Sequence, residues 1–504
     1  MALARRLWPL ICVEHYLPLC IHTGMNRHVL YLMFGWAMIR SLAAAEAADK
    51  KDAQAAPAAA PGIEKEATML TVDMKAIACK SFMGFGVEWD PGFWQEWNIK
   101  AGVTEADWKT VKDRIEWMKI PLVRMMAQVK WCYREGGKYD WESTDMKSLY
   151  RHLDVCQERK VTVILSDWGC EPNWLKAPGI ADVGDPKYAA AIGTYMDHLL
   201  NKKGYTCIRY FVMVNEPNYE VKDWNRWKKG VENVSAEFAR RGIDKKVVFV
   251  GSDESNDESW HRTAVDQLQN KLGAYDVHRY APADEVRSGR LEEFWRTQWT
   301  YALEKDRKAD GKPMIVGEAG ILSDGFSAGN NPLHLNYEYG LYMADYAAQA
   351  ANAGSWAVSA WMLDDSSHSK FNWGMWKDKT GKFELKPWFY TWSLLTRYVP
   401  AGSTIYRTKS GQDLRLLAAR SAGASGDRWT FLIVNRADRA AKLKIVAPGA
   451  KSAKFKQYVY SKQKAAADAN GFPAPVEENQ ANPAAGLNVE CPPQSACLVT
   501  SIEY

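Results

Sequence analysis

The sequence predicts an α/β fold, a (β/α)8 TIM barrel followed by a C-terminal antiparallel β-sandwich. Three observations carry this. Between residues 79 and 395, eight short apolar or β-branched runs alternate with longer amphipathic stretches, the rhythm of parallel strands covered on both faces. Polar and aromatic residues gather at or just after the ends of these runs, where a barrel keeps its working face. After residue 396 the texture changes to short strand-like runs separated by Gly, Ser, Asn and Pro clusters.

The elements can be justified in chain order. Met25 opens a short basic stretch, Asn26-Arg27-His28. An apolar run of eleven residues from Val29 to Ile39 follows, then the small residues Ser41 to Ala45. This reads as a cleaved export signal, placing the mature chain outside the cytoplasm, secreted or periplasmic. The alternative is an uncleaved or amphipathic anchor. The run is too short for an ordinary membrane span. Residues 1–24 read as an upstream extension of that signal, so 1–45 form one segment. Residues 46–68, rich in Ala, Pro, Lys and Glu, have a linker composition. The barrel is assigned to 69–395 and the sandwich to 396–504, with Met69 to Met74 as a further strand available to the sandwich.

The eight runs are Phe82–Trp89, Leu122–Met126, Val161–Trp168, Ile208–Val214, Val247–Ser252, Tyr275–Tyr280, Met314–Glu318 and Trp356–Leu363. Helices are expected over Thr104–Trp117, with Thr104 as N-cap, Lys187–Asn201 and Trp224–Arg241. A doubly wound open sheet is the alternative, but no Gly-rich phosphate loop follows the first run. Sandwich strands are expected at 414–419, 429–434, 441–446, 454–459 and 496–502.

Composition excludes several classes. Apolar residues at 47% and charged residues at 25% are ordinary for a globular chain and exclude disorder, collagen and a polytopic membrane protein. Lys and Arg number 65 against 60 Asp and Glu, a net charge of +5. Residues 1–45 hold four Arg and one Glu, so +2 remains without them. No basic field speaks for nucleic acid. The 23 Trp and 23 Tyr suit both a large core and flat ligand faces. Of the cysteines after residue 68, none forms a Cys-x-x-Cys pair, so no zinc or redox motif is present. Cys491 and Cys497 read equally as a short disulfide loop or as two buried thiols.

Two glutamates stand out. Glu216 ends the fourth run in Asn215-Glu216-Pro217, and Glu318 ends the seventh in Gly317-Glu318-Ala319. On a barrel these ends face one another across the mouth. A pair of carboxyls about 5–5.5 Å apart is what glycoside hydrolysis with retention needs, one protonating the leaving oxygen and the other attacking. The ends of the second, sixth and eighth runs carry Arg124, Tyr280 and Trp361: a guanidinium beside a carboxylate lowers its pKa, a tyrosine hydroxyl donated to it stabilises the same ionised form, and an indole face suits the apolar face of a sugar.

With these residues in place, residues 80–365 resemble clan A glycoside hydrolases, families 5, 30 and 39 in particular. The resemblance implies that Glu216 is the acid/base, Glu318 the nucleophile and Asn215 the ligand of the sugar 2-hydroxyl. His278-Arg279-Tyr280 matches the His-x-Tyr of strand six, with Tyr280 on the nucleophile. Arg124 keeps the nucleophile charged, and Trp361 floors the glycone subsite. It implies a retaining hydrolase of β-linked oligo- or polysaccharides, needing neither metal nor organic cofactor. Each residue also has a structural reading: Glu216 as a helix cap, Glu318 as a loop carboxylate, Arg124 as an ion pair, His278 and Trp361 as core. Trp89, Trp168 and Trp174 divide between sugar subsites and packing. Asp253-Glu254 and Asp364-Asp365 read as solvated loop charges, with sugar hydroxyls or calcium as alternatives. Loops 172–186 and 325–335 are expected to select the substrate. A transglycosylase, a non-catalytic carbohydrate-binding protein on the same barrel, and a surface protein whose sandwich binds a partner stay open.

Overall fold

The computed structural model describes residues 67–504 apart from 323–326, 328, 410, 425 and 464. The export signal and most of the Ala/Pro-rich segment lie outside the described residues. Among the described residues, no helix is long and apolar enough to cross a membrane.

Eight parallel strands close a barrel, each hydrogen-bonded to its sequence neighbours and the last to the first. In order they are Gly84–Glu88, Leu122–Ala127, Thr162–Asp167, Ile208–Val212, Val248–Ser255, Ala274–Pro282, Met314–Leu322 and Ala357–Ala360; they are called barrel strands one to eight below. All eight overlap the apolar runs. Helices cap as their sequences dictate. Glu105–Met118 begins with a capping box in which Thr104 and Asp107 satisfy each other's backbone N–H. The helix after strand three starts one residue earlier than expected, at Pro186 behind an Asp185 cap. It runs to Asp197 and ends in one wider turn over His198–Lys202. Trp224–Arg241 ends at Gly242, whose positive φ suits glycine.

The C-terminal domain has a three-stranded and a seven-stranded sheet. One correction concerns its border with the barrel. Thr68–Thr71 pairs with Ala441–Val446, in parallel, and Ile77–Phe82 forms the edge beside Ser403–Tyr406. The barrel therefore starts at Gly84 rather than 69, because Thr68–Phe82 finds its backbone partners in the sandwich sheets. Strands Ser403–Tyr406, Glu477–Ala481 and Leu487–Cys491 were not expected either. Glu477–Ala481 (EENQA) is an exposed edge strand with no apolar alternation. All seven described cysteines are buried free thiols, Cys491 and Cys497 included.

Barrel and sandwich share a continuous apolar core, in which Leu417, Leu432 and Leu498 join the layer outside the barrel. A buried ionic clamp fixes this contact. Asp345, on the helix Tyr337–Ala353, accepts from Arg436 Nε at 2.9 Å and lies 3.0 Å from Arg415 Nε, all three side chains being nearly inaccessible. Removing one partner of such a set leaves uncompensated buried charge. Asp345→Ala is therefore expected to lower the unfolding free energy by about 3–5 kcal/mol, measured by urea denaturation. A loss under about 1 kcal/mol would show the two arginines to be solvated.

Candidate active site

The site grows from strand periodicity. One apolar side chain from each of seven strands, Leu122, Ile164, Val212, Val250, Ala274, Ile315 and Ala357, fills a layer of the barrel interior. Alternation then turns every second residue inward. Two residues on stand Arg124, Ser166 and Asp276, all fully buried, and two further on stand Met126, Trp168 and His278. The apolar layer thus gives way to a polar layer beneath the mouth.

Arg124 is the hub of that layer. Nη1 donates to Glu88 Oε2 at 3.0 Å and Glu318 Oε1 at 2.9 Å. Nη2 donates to Asp253 Oδ2 at 2.8 Å and Asn215 Oδ1 at 2.9 Å, with Ser166 Oγ at 3.3 Å. Glu318 Oε2 accepts from the Tyr280 hydroxyl at 2.5 Å. His278 bridges the rest, with Nδ1 3.1 Å from Glu216 Oε1 and 3.6 Å from Glu318 Oε1, and Nε2 3.1 Å from Asp253 Oδ1. One oxygen each of Glu216 and Glu318 and a ring nitrogen of His278 lie within 4.8 Å of one another. Glu216 sits at φ 43°, ψ 60°, and Asp253 at φ 63°. Both are non-glycine residues in the left-handed region, of the kind that collects where function overrides local preference. The following Pro217 is pre-set for the first turn of a short helix.

Burial pushes the carboxyls of Asp276 and Glu88 well above the ordinary carboxylate range. Asp276 lies fully buried against Asp253 and packs on Gly317, where any Cβ would stand 2.4 Å from its oxygen. Asp253 is equally buried, yet Arg124 and His278 hold it below the ordinary value. Burial disfavours the His278 cation, but Asp253 and Glu318 outweigh it and hold His278 well above its ordinary value. Burial pushes Glu318 up to about 7 against the pull of His278 and Arg124.

The structure brings Arg124, Asn215, Glu216, His278, Tyr280 and Glu318 together as the sequence suggests. Trp361 follows strand eight and is only 6% exposed, clustered with Met126 and Trp373 and flanked by Trp168 and Tyr280. Trp168 points its indole N–H at Glu220, at 3.4 Å. Trp174 is half exposed beside it. Trp89 is core, stacked on Trp108.

The reading of two acidic pairs as solvated loop charges is corrected. Asp253 and Glu254 are buried in strand five. Asp364 and Asp365 are buried in the loop after strand eight, Asp365 paired to Lys386 at 2.7 Å. Burial against fixed cations and backbone donors replaces the water that the sequence suggested. Five site residues were missed or unassigned: Glu88, Asp90, Asp253, Asp276 and His368. Asp276 carried a signal, a carboxylate two residues before His278 inside an apolar run. Two groups place ligand atoms within 4.8 Å, Glu216-His278-Glu318 and Asp253-Asp276-His278. Arg124 already neutralises Glu318 and Asp253, so a divalent cation there would face a guanidinium.

Residues 84–374 match the family model for cellulase, glycosyl hydrolase family 5. No curated protein gives a match. Among solved structures, a GH30 endoxylanase from Clostridium papyrosolvens superposes with TM-score 0.61 at 10% identity, covering 86% of this chain and all of that one. A GH39 β-xylosidase from Caulobacter crescentus gives 0.57 at 13%, covering 87% and 100%. A glucosidase from Croceicoccus marinus gives 0.61 at 11%, also covering 87% and 100%. These likenesses are of fold. Barrel, site and family match together define a glycoside hydrolase of clan A. Within that clan, the chain belongs to the cellulase family, glycosyl hydrolase family 5.

Asp253 contributes stability in its ionised form, because its folded pKa lies below the ordinary value of 3.8. That contribution is in place above about pH 4 and fades as pH falls through the folded value. Arg124→Met is therefore expected to cost about 3–5 kcal/mol at pH 7, and less toward pH 3. Thermal melts across that range check it. A pH-independent loss would show that packing, not charge, is what Arg124 supplies.

Proposed function

We propose that the enzyme is a retaining β-glycosidase working by double displacement. The observation that carries this is the approach of Glu216 and Glu318, with carboxylate oxygens within 4.8 Å of each other. That closeness falls on the side of retaining enzymes, whose carboxyls stand about 5–5.5 Å apart, rather than inverting ones, which seat a water between carboxyls about 6.5–9.5 Å apart.

Glu318 is the nucleophile. Arg124 and Tyr280 each donate to one of its oxygens, stabilising the charge and aiming the attacking lone pair. Glu216 protonates the glycosidic oxygen as its bond to the anomeric carbon breaks, then takes a proton from water as the ester to Glu318 is hydrolysed. His278 holds Glu216 Oε1 at 3.1 Å, leaving Oε2 for the travelling proton. Asn215 spends its carbonyl on Arg124, so its amide N–H groups face the sugar. Trp361 supports the ring. The substrate is a β-linked glycan, as in the family. The Met25–Ala45 pattern supports action outside the cytoplasm.

Glu318→Gln is expected to lower kcat at least about 10³-fold, about 4 kcal/mol of barrier. Azide should rescue Glu318→Gly and give an α-glycosyl azide, identified by NMR. Activity surviving both Glu216→Gln and Glu318→Gln would overturn the assignment. Because Glu318 must be ionised to attack and titrates near 7, kcat/KM is expected to fall as pH drops through that value. A flat profile down to pH 5 would contradict it.

A further inference from the structure

Resting on the glycosidase reading of this site, we infer that the enzyme is exo-acting: the loops after barrel strands one and eight end the glycone side after one sugar, and His368 on that wall, held by Asp90, receives a hydroxyl of the terminal residue.

Direction follows from the two glutamates. The leaving group lies toward Glu216, at the end of strand four. The glycone lies over Trp361, at the end of strand eight, so its ring atoms remote from the anomeric carbon face strands eight and one. His368 stands there. Its ring centroid is 5.6 Å from Trp361 and tilted 33° to it. It stacks on Phe371 at 4.8 Å and meets Trp168 edge-on at 5.5 Å. Its Nε2 is hydrogen-bonded to Asp90 Oδ2, and Asp90 Oδ1 accepts the Met126 N–H at 2.6 Å. With Nε2–H donated to Asp90, Nδ1 is left as an acceptor for a sugar hydroxyl.

The wall is braced, so it is not a side chain that a longer glycan pushes aside. Asn98 Nδ2 donates to Gly92 O at 3.1 Å and Ser366 O at 2.9 Å, tying the loop after strand one to that after strand eight. They approach so closely that a Cβ on Gly92 would stand 2.3 Å from Ser367 O. Asn372 donates its backbone N–H to Gly329 O at 2.9 Å and its amide to Asn330 Oδ1 at 3.1 Å, joining the loop after strand seven. Lys386, buried, fixes Asn372 from behind at 2.6 Å.

The test uses the full chain on reducing-end-labelled β-linked gluco-, manno- and xylo-oligosaccharides, with matched chains benzylated on the terminal 4-hydroxyl. The expected first product is a monosaccharide from the non-reducing end. Benzylated chains should be cut at least about tenfold more slowly. His368→Ala should lower kcat/KM on the uncapped chains by up to about tenfold, mainly through KM, as for one lost hydrogen bond. It should also restore cleavage of the capped ones. Internal fragments as first products, or equal rates on capped and uncapped chains, would overturn the exo reading while leaving the glycosidase reading intact. Absence of any cleavage would overturn both. The wild-type product ladder decides the matter even if the variant fails to fold.

Discussion

A single guanidinium organises this molecule. Arg124 leaves strand two and bonds side chains from strands one, three, five and seven and, just past the end of strand four, Asn215, so six of eight staves converge on one planar group. Arginine suits that post because its donors lie in a fixed fork and its charge does not titrate. Lysine would present one point charge and could shed its proton under the same burial. The cost is desolvation of the cation and its carboxylate partners, offset by the short contacts to Glu88, Asn215, Asp253 and Glu318.

That balance explains why a polar layer this deep is tolerable. Five carboxyls, from Glu88, Glu216, Asp253, Asp276 and Glu318, crowd two cations. Were all ionised, the cluster would repel itself. The surroundings pull them apart: burial pushes Asp276 and Glu88 up, while Arg124 and His278 hold Asp253 down. Glu318 lands between, near 7. Glu318 therefore has a protonation state that ordinary pH can move, set by the field around it.

The sequence exposed the skeleton of this arrangement but not its support. All eight barrel strands were legible because parallel strands buried on both faces must be written in apolar residues. Glu216, Glu318, His278 and Tyr280 were legible because they end those runs. Asp253, Asp276, Glu88 and Asp90 were not, since a carboxylate has the same letter whether solvated or sealed, and its burial depends on strands far away in the chain. Asp364 and Asp365 failed for the same reason. The EENQA edge strand was invisible because an exposed edge needs no apolar face. His368 lies in a polar loop segment, Ser366-Ser367-His368-Ser369-Lys370, and nothing local tells that Trp361 and Phe371 will enclose it.

Two kinds of rigidity result, and they divide the work. Arg124, Asp253 and Glu318 sit within strands, where the backbone ladder fixes them and holds even the left-handed Asp253. Glu216 lies past the end of strand four, its left-handed backbone held by its C=O accepting from the Tyr219 and Glu220 N–H groups. The loops after strands one and eight have no ladder and are braced side chain by side chain through Asn98, Asn372 and Lys386. A change in the first set alters charge at the centre of the barrel and is felt by six strands. A change at Asn98, Asn372 or Lys386 spares the Arg124 network, because among the described residues no hydrogen bond joins those three side chains to Arg124. Asp90, hydrogen-bonded to Glu88, is where the loops and the ionic core meet.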